Sequence, residues 1–162
     1  MEEFLISARL PASNAEKTIK RCINSINSSS VEIIVVDDGS TDNTLDICKK
    51  CAEKNKNLRV ISQKNKGPIE ARYTGIQNAS GEYIMSLDSD DFYSENTIER
   101  MIELINKYNK PDLIRFRFRK NNDESCQKKY FEENEKLISK EKFKKLVYPM
   151  FLKTLEWEVS NM

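Results

Sequence analysis

The residues best suited to chemistry fall in two acidic clusters, Asp37-Asp38 and Asp88-Ser89-Asp90-Asp91. The chain contains no histidine, so no Ser-His-Asp or Cys-His relay can be assembled. Proton transfer and metal binding must rest on carboxylates, lysine, tyrosine or cysteine. Carboxylates gathered at one place repel one another unless cations or hydrogen-bond donors compensate. Hard divalent ions, Mg²⁺ or Mn²⁺, suit oxygen ligands and usually bind through one or two carboxylates plus substrate phosphates. Taken singly, each cluster is also an ordinary turn or N-cap sequence. Brought together, the two point to a metal-held phosphorylated ligand.

Four cysteines are present: Cys22, Cys48, Cys51 and Cys126. Cys48 and Cys51 form a C-x-x-C, but zinc would need two further ligands and there is no second pair. Both fall at helical spacing with Leu45 and Ala52, so they read as free buried thiols on a helix face.

The elements that must position the carboxylates alternate strand and helix. Phe4 to Leu10 reads as a first strand ended by Pro11. Ser13-Asn14-Ala15-Glu16 has the form of a capping box, followed by the amphipathic stripe Ile19, Cys22, Ile23, Ile26. Val31 to Val36 is an apolar, β-branched run interrupted by Glu32, the signature of a strand covered on both faces. Thr41 to Asn43 offers N-cap residues for a second helix through Leu45, Cys48 and Ala52. A third strand spans Leu58 to Ser62. The turn Asn65-Lys66-Gly67-Pro68 leads to a third helix with Ile69, Tyr73 and Ile76 on one face. Gly81 precedes a fourth strand, Glu82 to Leu87, which runs into the second acidic cluster. Ser94 caps a helix bearing Ile98, Met101, Ile102 and Ile105. Asp112 to Phe118 alternates Arg115, Arg117 and Arg119 with Phe116 and Phe118, a period-2 strand. Residues 120–136 are polar, and a last helix starts at Ser139.

This order predicts an α/β domain, three-layered, with a mainly parallel sheet flanked by helices. Ligands of such sheets bind beyond the carboxyl ends of the strands. That rule selects the loops after Leu10, Val36 and Leu87, two of which are the acidic clusters.

Three segments carry a family resemblance. Ile33 to Asp42 resembles the "IIVVDDGSTD" signature of family 2 glycosyltransferases. Asn65-Lys66-Gly67 with Ala71-Arg72 and Gly75 resembles the family's "N-x-G…A-R-N-x-G". Ala79-Ser80-Gly81-Glu82-Tyr83-Ile84 through Leu87-Asp88-Ser89-Asp90-Asp91 resembles "A-x-G-E-Y-I…L-D-x-D-D". Any one is weak; the three, in order across residues 4–118, are specific. The resemblance implies the GT-A (Rossmann-like) fold. It also implies transfer of a sugar from a nucleotide-diphospho-sugar, a UDP-sugar foremost, to a hydroxyl of a glycan or lipid-linked acceptor. Transfer would be metal-dependent, with Mg²⁺ or Mn²⁺, and inverting. By resemblance Asp38 accepts a hydrogen bond from the base, Asp88 lies near the ribose, Ser89 belongs to the nucleotide-sugar-binding set, and Asp90 is the metal ligand. Arg72 is a cation near the nucleotide, and Pro11 and Asn14 match the first loop. The physics agrees, since a divalent ion stabilises the charge that develops on a diphosphate leaving group.

Two departures stand out. Ser13 replaces an aromatic that can pack on the base, and Arg9 intrudes on an apolar strand. Family members also continue well past the D-x-D, and that later part supplies the acceptor site and the general base. The expectation is therefore a nucleotide-sugar-binding core over 1–120 and an incomplete acceptor-side region over 121–162, with no catalytic base assigned. Glu156 and Glu158, beside Trp157, read as a helix end packing its tryptophan. The alternative reading is a donor-binding module or scaffold without turnover.

Other classes lose support. There is no P-loop or G-x-G-x-x-G, and a response regulator or haloacid-dehalogenase-like phosphatase would carry its acidic residues after the first strand. Nucleic acid is not an expected partner, because Phe116-Arg117-Phe118 reads as strand. Acidic residues are in excess up to residue 99 and basic residues after it. No stretch approaches the ~20 apolar residues of a membrane span. The expectation is a cytoplasmic protein, at most peripheral at the inner face of a membrane.

Overall fold

The structure is a computed structural model and describes residues 4–114 and Ser139. The chain divides into two compact units, Met1–Asn106 and Lys107–Met162. The first carries a parallel four-stranded sheet of order β3-β2-β1-β4. Its strands are β1 (Ile6–Ala12), β2 (Val31–Asp38), β3 (Leu58–Gln63) and β4 (Tyr83–Ser86), and its helices are α1 (Ile19–Asn24), α2 (Thr44–Ala52) and α3 (Pro68–Gln77). A further helix, α4 (Thr97–Lys107), follows β4.

The strand order explains the layers. From β1 through β2 to β3 the chain steps in one direction, with α1 and α2 as crossovers. From β3 it returns through α3 to β4 on the far side of β1. Right-handed crossovers then place α1 and α2 on one face and α3 on the other. Accordingly α3 packs on β1 and β2, and α1 packs on α2. With both faces covered, all eight residues of β2 are buried. The step direction reverses between β1 and β4, which makes their carboxyl ends the topological switch point.

The structure revises several local expectations. β1 does not end at Pro11 but continues to Ala12, with Pro11 opposite Val36. Arg9 O accepts from Leu87 N at 3.2 Å. Pro11 faces the same side two residues on, past the end of β4, so its missing N–H costs no ladder bond. The capping box does not form, because α1 starts only at Ile19. Glu16 turns instead to Asn43, whose N and Nδ2 donate to its carboxylate at 3.1 and 2.9 Å. Competing tertiary donors thus outweigh the local cap. The stripe Ile69, Tyr73, Ile76 faces outward and is exposed. The face that packs on the sheet is Ala71 and Gly75, because the helix lies too close for larger side chains. A Cβ on Gly75 would stand 3.0 Å from Arg9 Cβ. Cys48 is buried, whereas Cys51 is half-buried. Burial first, then the charges of Cys51 and Asp37, pushes the Cys48 thiol up to about 12. On α4, Ile98, Met101 and Ile105 are buried as expected, and Ile102 is half-buried. Asp112 to Ile114 is irregular. The rest of that expected strand, the last helix beyond Ser139, and Glu156, Trp157 and Glu158 lie outside the described residues.

Glu32 breaks the apolar run of β2 yet is only 1% exposed. Its Oε1 accepts from Ser7 Oγ, from Ser80 N, from Ser80 Oγ at 2.7 Å and from Gly81 N at 3.2 Å. Arg59 Nη1 lies 3.7 Å from its Oε2. This staple ties the α3–β4 connection to β1 and β2, and so sets where β4 begins. Gly81 fits there only because it lacks a Cβ, which would sit 2.7 Å from both Ile6 C and Ser7 N. Gly81→Ala is expected to cost about 1–3 kcal/mol of stability through overpacking against backbone. Urea unfolding measures it, and an unshifted midpoint would show that the loop relaxes freely.

Candidate active site

A cavity of about 300 Å³ opens at the switch point, beyond the carboxyl ends of β1, β2 and β4. The β1 end contributes Pro11, Ala12 and Ser13, and the β2 end contributes Asp38. Asn65, Gly67 and Pro68 come from the β3–α3 loop, Ala71 and Arg72 from α3, and Asp88, Ser89 and Asp90 from the β4 loop. Six residues singled out from sequence therefore line one space: Pro11, Asp38, Arg72, Asp88, Ser89 and Asp90. A larger open hollow of about 560 Å³ lies against α1, lined by Lys17, Lys20, Arg21, Asn24 and Ser25. It carries no carboxylate, so the acidic chemistry belongs to the smaller cavity.

Asn14 is not in the cavity wall. It adopts φ +51°, which asparagine tolerates better than most residues. Its Oδ1 accepts from Thr41 N at 2.9 Å and from Thr41 Oγ1 at 3.2 Å, and its own N donates to Ser40 Oγ at 3.0 Å. Asn14 thus laces the β1–α1 loop to the Gly39-Ser40-Thr41 loop. Gly39, at φ +68°, lets that loop pass Asn65, whose N would stand 2.7 Å from a Cβ there.

Asp38 is buried and heavily bonded. Its Oδ1 accepts from Gln63 Nε2 at 2.8 Å and Lys66 N at 2.9 Å, and its Oδ2 from Gly67 N at 2.8 Å. Burial alone would raise its pKa. The bond from the Gln63 side chain, those from the two backbone N–H groups, and the Lys66 charge outweigh burial and hold the carboxyl below the usual aspartate range. Asp38 therefore builds one wall of the cavity by clamping the Asn65-Lys66-Gly67 turn. Sequence reading missed this partnership with Gln63 and Lys66. The signal was a turn sequence directly after a strand neighbouring the Asp38 strand. Asp38→Asn replaces an acceptor oxygen by a donor facing donors, and is expected to cost about 2 kcal/mol. Urea unfolding together with faster amide exchange at residues 65–67 would show it; unchanged exchange there would count against the clamp. Asp37, its neighbour, points elsewhere: its Oδ2 lies 3.4 Å from Ser62 Oγ, and its buried Oδ1 has no partner.

Across the cavity, Arg72 Nη2 meets Asp88 Oδ1 at 3.0 Å. Both side chains are substantially exposed, so the pair contributes little to stability and stays available to a ligand. Arg9 lies behind it with Nε and Nη1 buried and unpartnered. Burial first, then repulsion from Arg72, lowers the Arg9 pKa, partly offset by Asp88. Asp91 is displaced the other way. Burial, then the charges of Asp90 and Asp88, raises its pKa, and Arg21 opposes them.

The fold and site define an open parallel α/β domain with a mixed cation–carboxylate ligand cavity at its switch point. The model of Glycosyl transferase family 2 matches residues 7–154, and the chain belongs to that family. It is 37% identical over 106 residues to glycosyltransferase GlyA of Streptococcus pneumoniae, covering 64% of this chain and 15% of that protein. Glycosyltransferase GlyG of the same organism is 41% identical over 105 residues, covering 62% and 35%. The chain thus spans well under half the length of these relatives. Among solved structures, Staphylococcus aureus TarS (residues 1–349) in complex with UDP superposes with a TM-score of 0.59 at 32% identity, covering 64% of this chain and 32% of that one. The fold is accordingly the GT-A fold.

Proposed function

We propose that the chain is the donor-binding part of a glycosyltransferase that takes a nucleotide-diphospho-sugar, a UDP-sugar foremost. The sugar passes to a hydroxyl of a glycan or lipid-linked acceptor, with inversion. The observation that carries this reading is the single cavity walled by Asp38 and its clamped turn on one side and by Arg72, Asp88 and Asp90 on the other. The S. aureus TarS structure solved with UDP supports a uridine nucleotide. In this reading the nucleotide lies between Asp38 and Arg72, and Ser89 and Asp88 face the ribose. Pro11 and Ser13 form the floor.

The residues also fit a divalent cation. The donor set is oxygen only, with Asp88, Asp90 and Asp91 within one short turn and Asp88 and Asp90 lining the cavity. No group of three or more ligating side chains gathers among the described residues. Mg²⁺ or Mn²⁺ takes oxygen ligands, binding through one or two carboxylates and completing its shell with phosphate oxygens and water. Asp90 would hold it. The ion supplies neutralisation of the charge that develops on the departing diphosphate.

The core is proposed to run through residue 120, with the acceptor-side region beginning at 121. No described helix is long and apolar enough to cross a membrane. A cytoplasmic site of action, in peripheral contact with the membrane that carries a lipid-linked acceptor, is part of this proposal. Calorimetry of UDP with Mn²⁺ and with EDTA tests the reading; absence of binding in both overturns it. Metal-dependent hydrolysis of a UDP-sugar, which needs only water as acceptor, then separates an enzyme from a binding module without turnover.

A further inference from the structure

Two side chains of α1, Arg21 and Cys22, and its C-cap residue Ser25 hold the backbone of the acidic turn. Arg21 Nη2 donates to Asp90 O at 3.1 Å, and the guanidinium lies 4.4 Å over the Phe92 ring. Cys22 Sγ donates to Asp88 O at 3.5 Å. Ser25 Oγ accepts from Tyr93 N at 3.1 Å while donating to Cys22 O at 2.7 Å. Within the turn, Asp91 N donates to Asp88 O at 3.0 Å. Successive anchors thus fall at residues 88, 90 and 93, and the turn so held brings Asp88 and Asp90 to the wall of the donor cavity.

Arg21 is the strongest of these anchors. A charged donor to a carbonyl is about twice as strong as a neutral one, and a thiol is a weak donor. Stacking on Phe92 restricts the guanidinium to the position from which it reaches Asp90 O.

We propose that Arg21 is a positioning residue: it tethers the Asp90 main chain and thereby aims the Asp90 carboxylate at the metal–diphosphate position. The inference rests on the reading of Asp90 as metal ligand given above. Arg21 itself touches neither nucleotide nor metal. It acts on the metal-dependent part of binding and leaves the nucleotide contacts of Asp38 and Arg72 alone.

The test compares wild type, Arg21→Ala and Arg21→Lys in the full chain by two measurements. Amide exchange without any ligand reads the tether directly. In Arg21→Ala, residues 88–93 are expected to exchange about tenfold faster, the size of one lost charge-assisted bond, with the sheet unchanged. UDP affinity is then measured in EDTA and in Mn²⁺. Arg21→Ala is expected to lower the Mn²⁺ enhancement about tenfold while leaving the EDTA affinity as in wild type. Arg21→Lys falls between the two, since an ammonium can reach the carbonyl but stacks less well. Unchanged exchange at 88–93 overturns the tether. Equal affinity losses with and without Mn²⁺ overturn the positioning role, because Arg21 would then contact the nucleotide or support the fold generally. Wild type showing no Mn²⁺ enhancement overturns the metal reading of Asp90, and with it the aim of the tether, while the exchange data still report whether the turn is anchored.

Discussion

Glu32→Leu is expected to lower the unfolding free energy by about 3–5 kcal/mol, the range for stripping one partner from a buried charged cluster. Leucine matches the apolar surroundings of β2, and burial alone would favour it. The cost comes from the donors left behind. Ser7 Oγ, Ser80 N, Ser80 Oγ and Gly81 N all converge on Oε1. Each stranded donor carries a desolvation penalty of about 1–3 kcal/mol. Glu32→Gln supplies the contrast, since an amide oxygen in the Oε1 position keeps the acceptor and loses the charge. Its expected cost is about 1–2 kcal/mol. Urea unfolding of the three proteins at neutral pH reads both numbers, and a glutamine variant as unstable as the leucine variant would sink the stranded-donor account.

The same residue sets an acid limit. Burial would raise the Glu32 pKa, but bonds from Ser7 and Ser80 and the charge of Arg59 win and lower it. The folded state therefore favours the ionised carboxylate more than the unfolded chain does. That contribution is fully present above the ordinary glutamate value of about 4.3 and is lost as pH falls through the lowered folded value. Wild type should weaken over that window more steeply than Glu32→Leu.

Glu32 also shows where the sequence was legible and where it was not. The β-branched run Val31 to Val36 announced a strand covered on both faces, and all of it is buried. Within that run Glu32 looked like an interruption. Its role depends on Ser7 and Ser80, 25 and 48 residues away in sequence, and periodicity carries no information at that range. The α3 stripe failed for a related reason. Ile69, Tyr73 and Ile76 have helical spacing, but the distance between helix and sheet selects Ala71 and Gly75 for the contact. Apolar spacing predicts a face, whereas separation decides which face fits. The site was more legible, because topology brings strand ends together whatever their packing. Pro11, Asp38, Arg72, Asp88, Ser89 and Asp90 meet in one cavity for that reason. Asn14 matched the same loop pattern but spends its side chain lacing two loops together. The clamp on Asp38 stayed hidden because its donors are mostly backbone N–H groups, which every sequence possesses.

Asp90→Ala should reduce the affinity for UDP in the presence of Mn²⁺ by about 100-fold while leaving affinity in EDTA within about twofold of wild type. The asymmetry follows from the layout. Asp90 lines the cavity from the acidic turn, whereas the wall built by Asp38 and the Arg72–Asp88 pair does not depend on it. Removing Asp90 also relieves repulsion within the turn. The Asp91 pKa, now raised by burial and then by Asp90 and Asp88, should move back toward the usual aspartate range in the variant. A general collapse of the fold would instead lower affinity equally in EDTA and Mn²⁺. Asp90→Asn keeps an oxygen ligand but loses the charge, and should lie between wild type and alanine. Calorimetry of the three proteins decides the matter. If Asp90→Ala binds UDP and Mn²⁺ as wild type does, the cation is held elsewhere and the acidic turn serves only to start the segment that leads into α4.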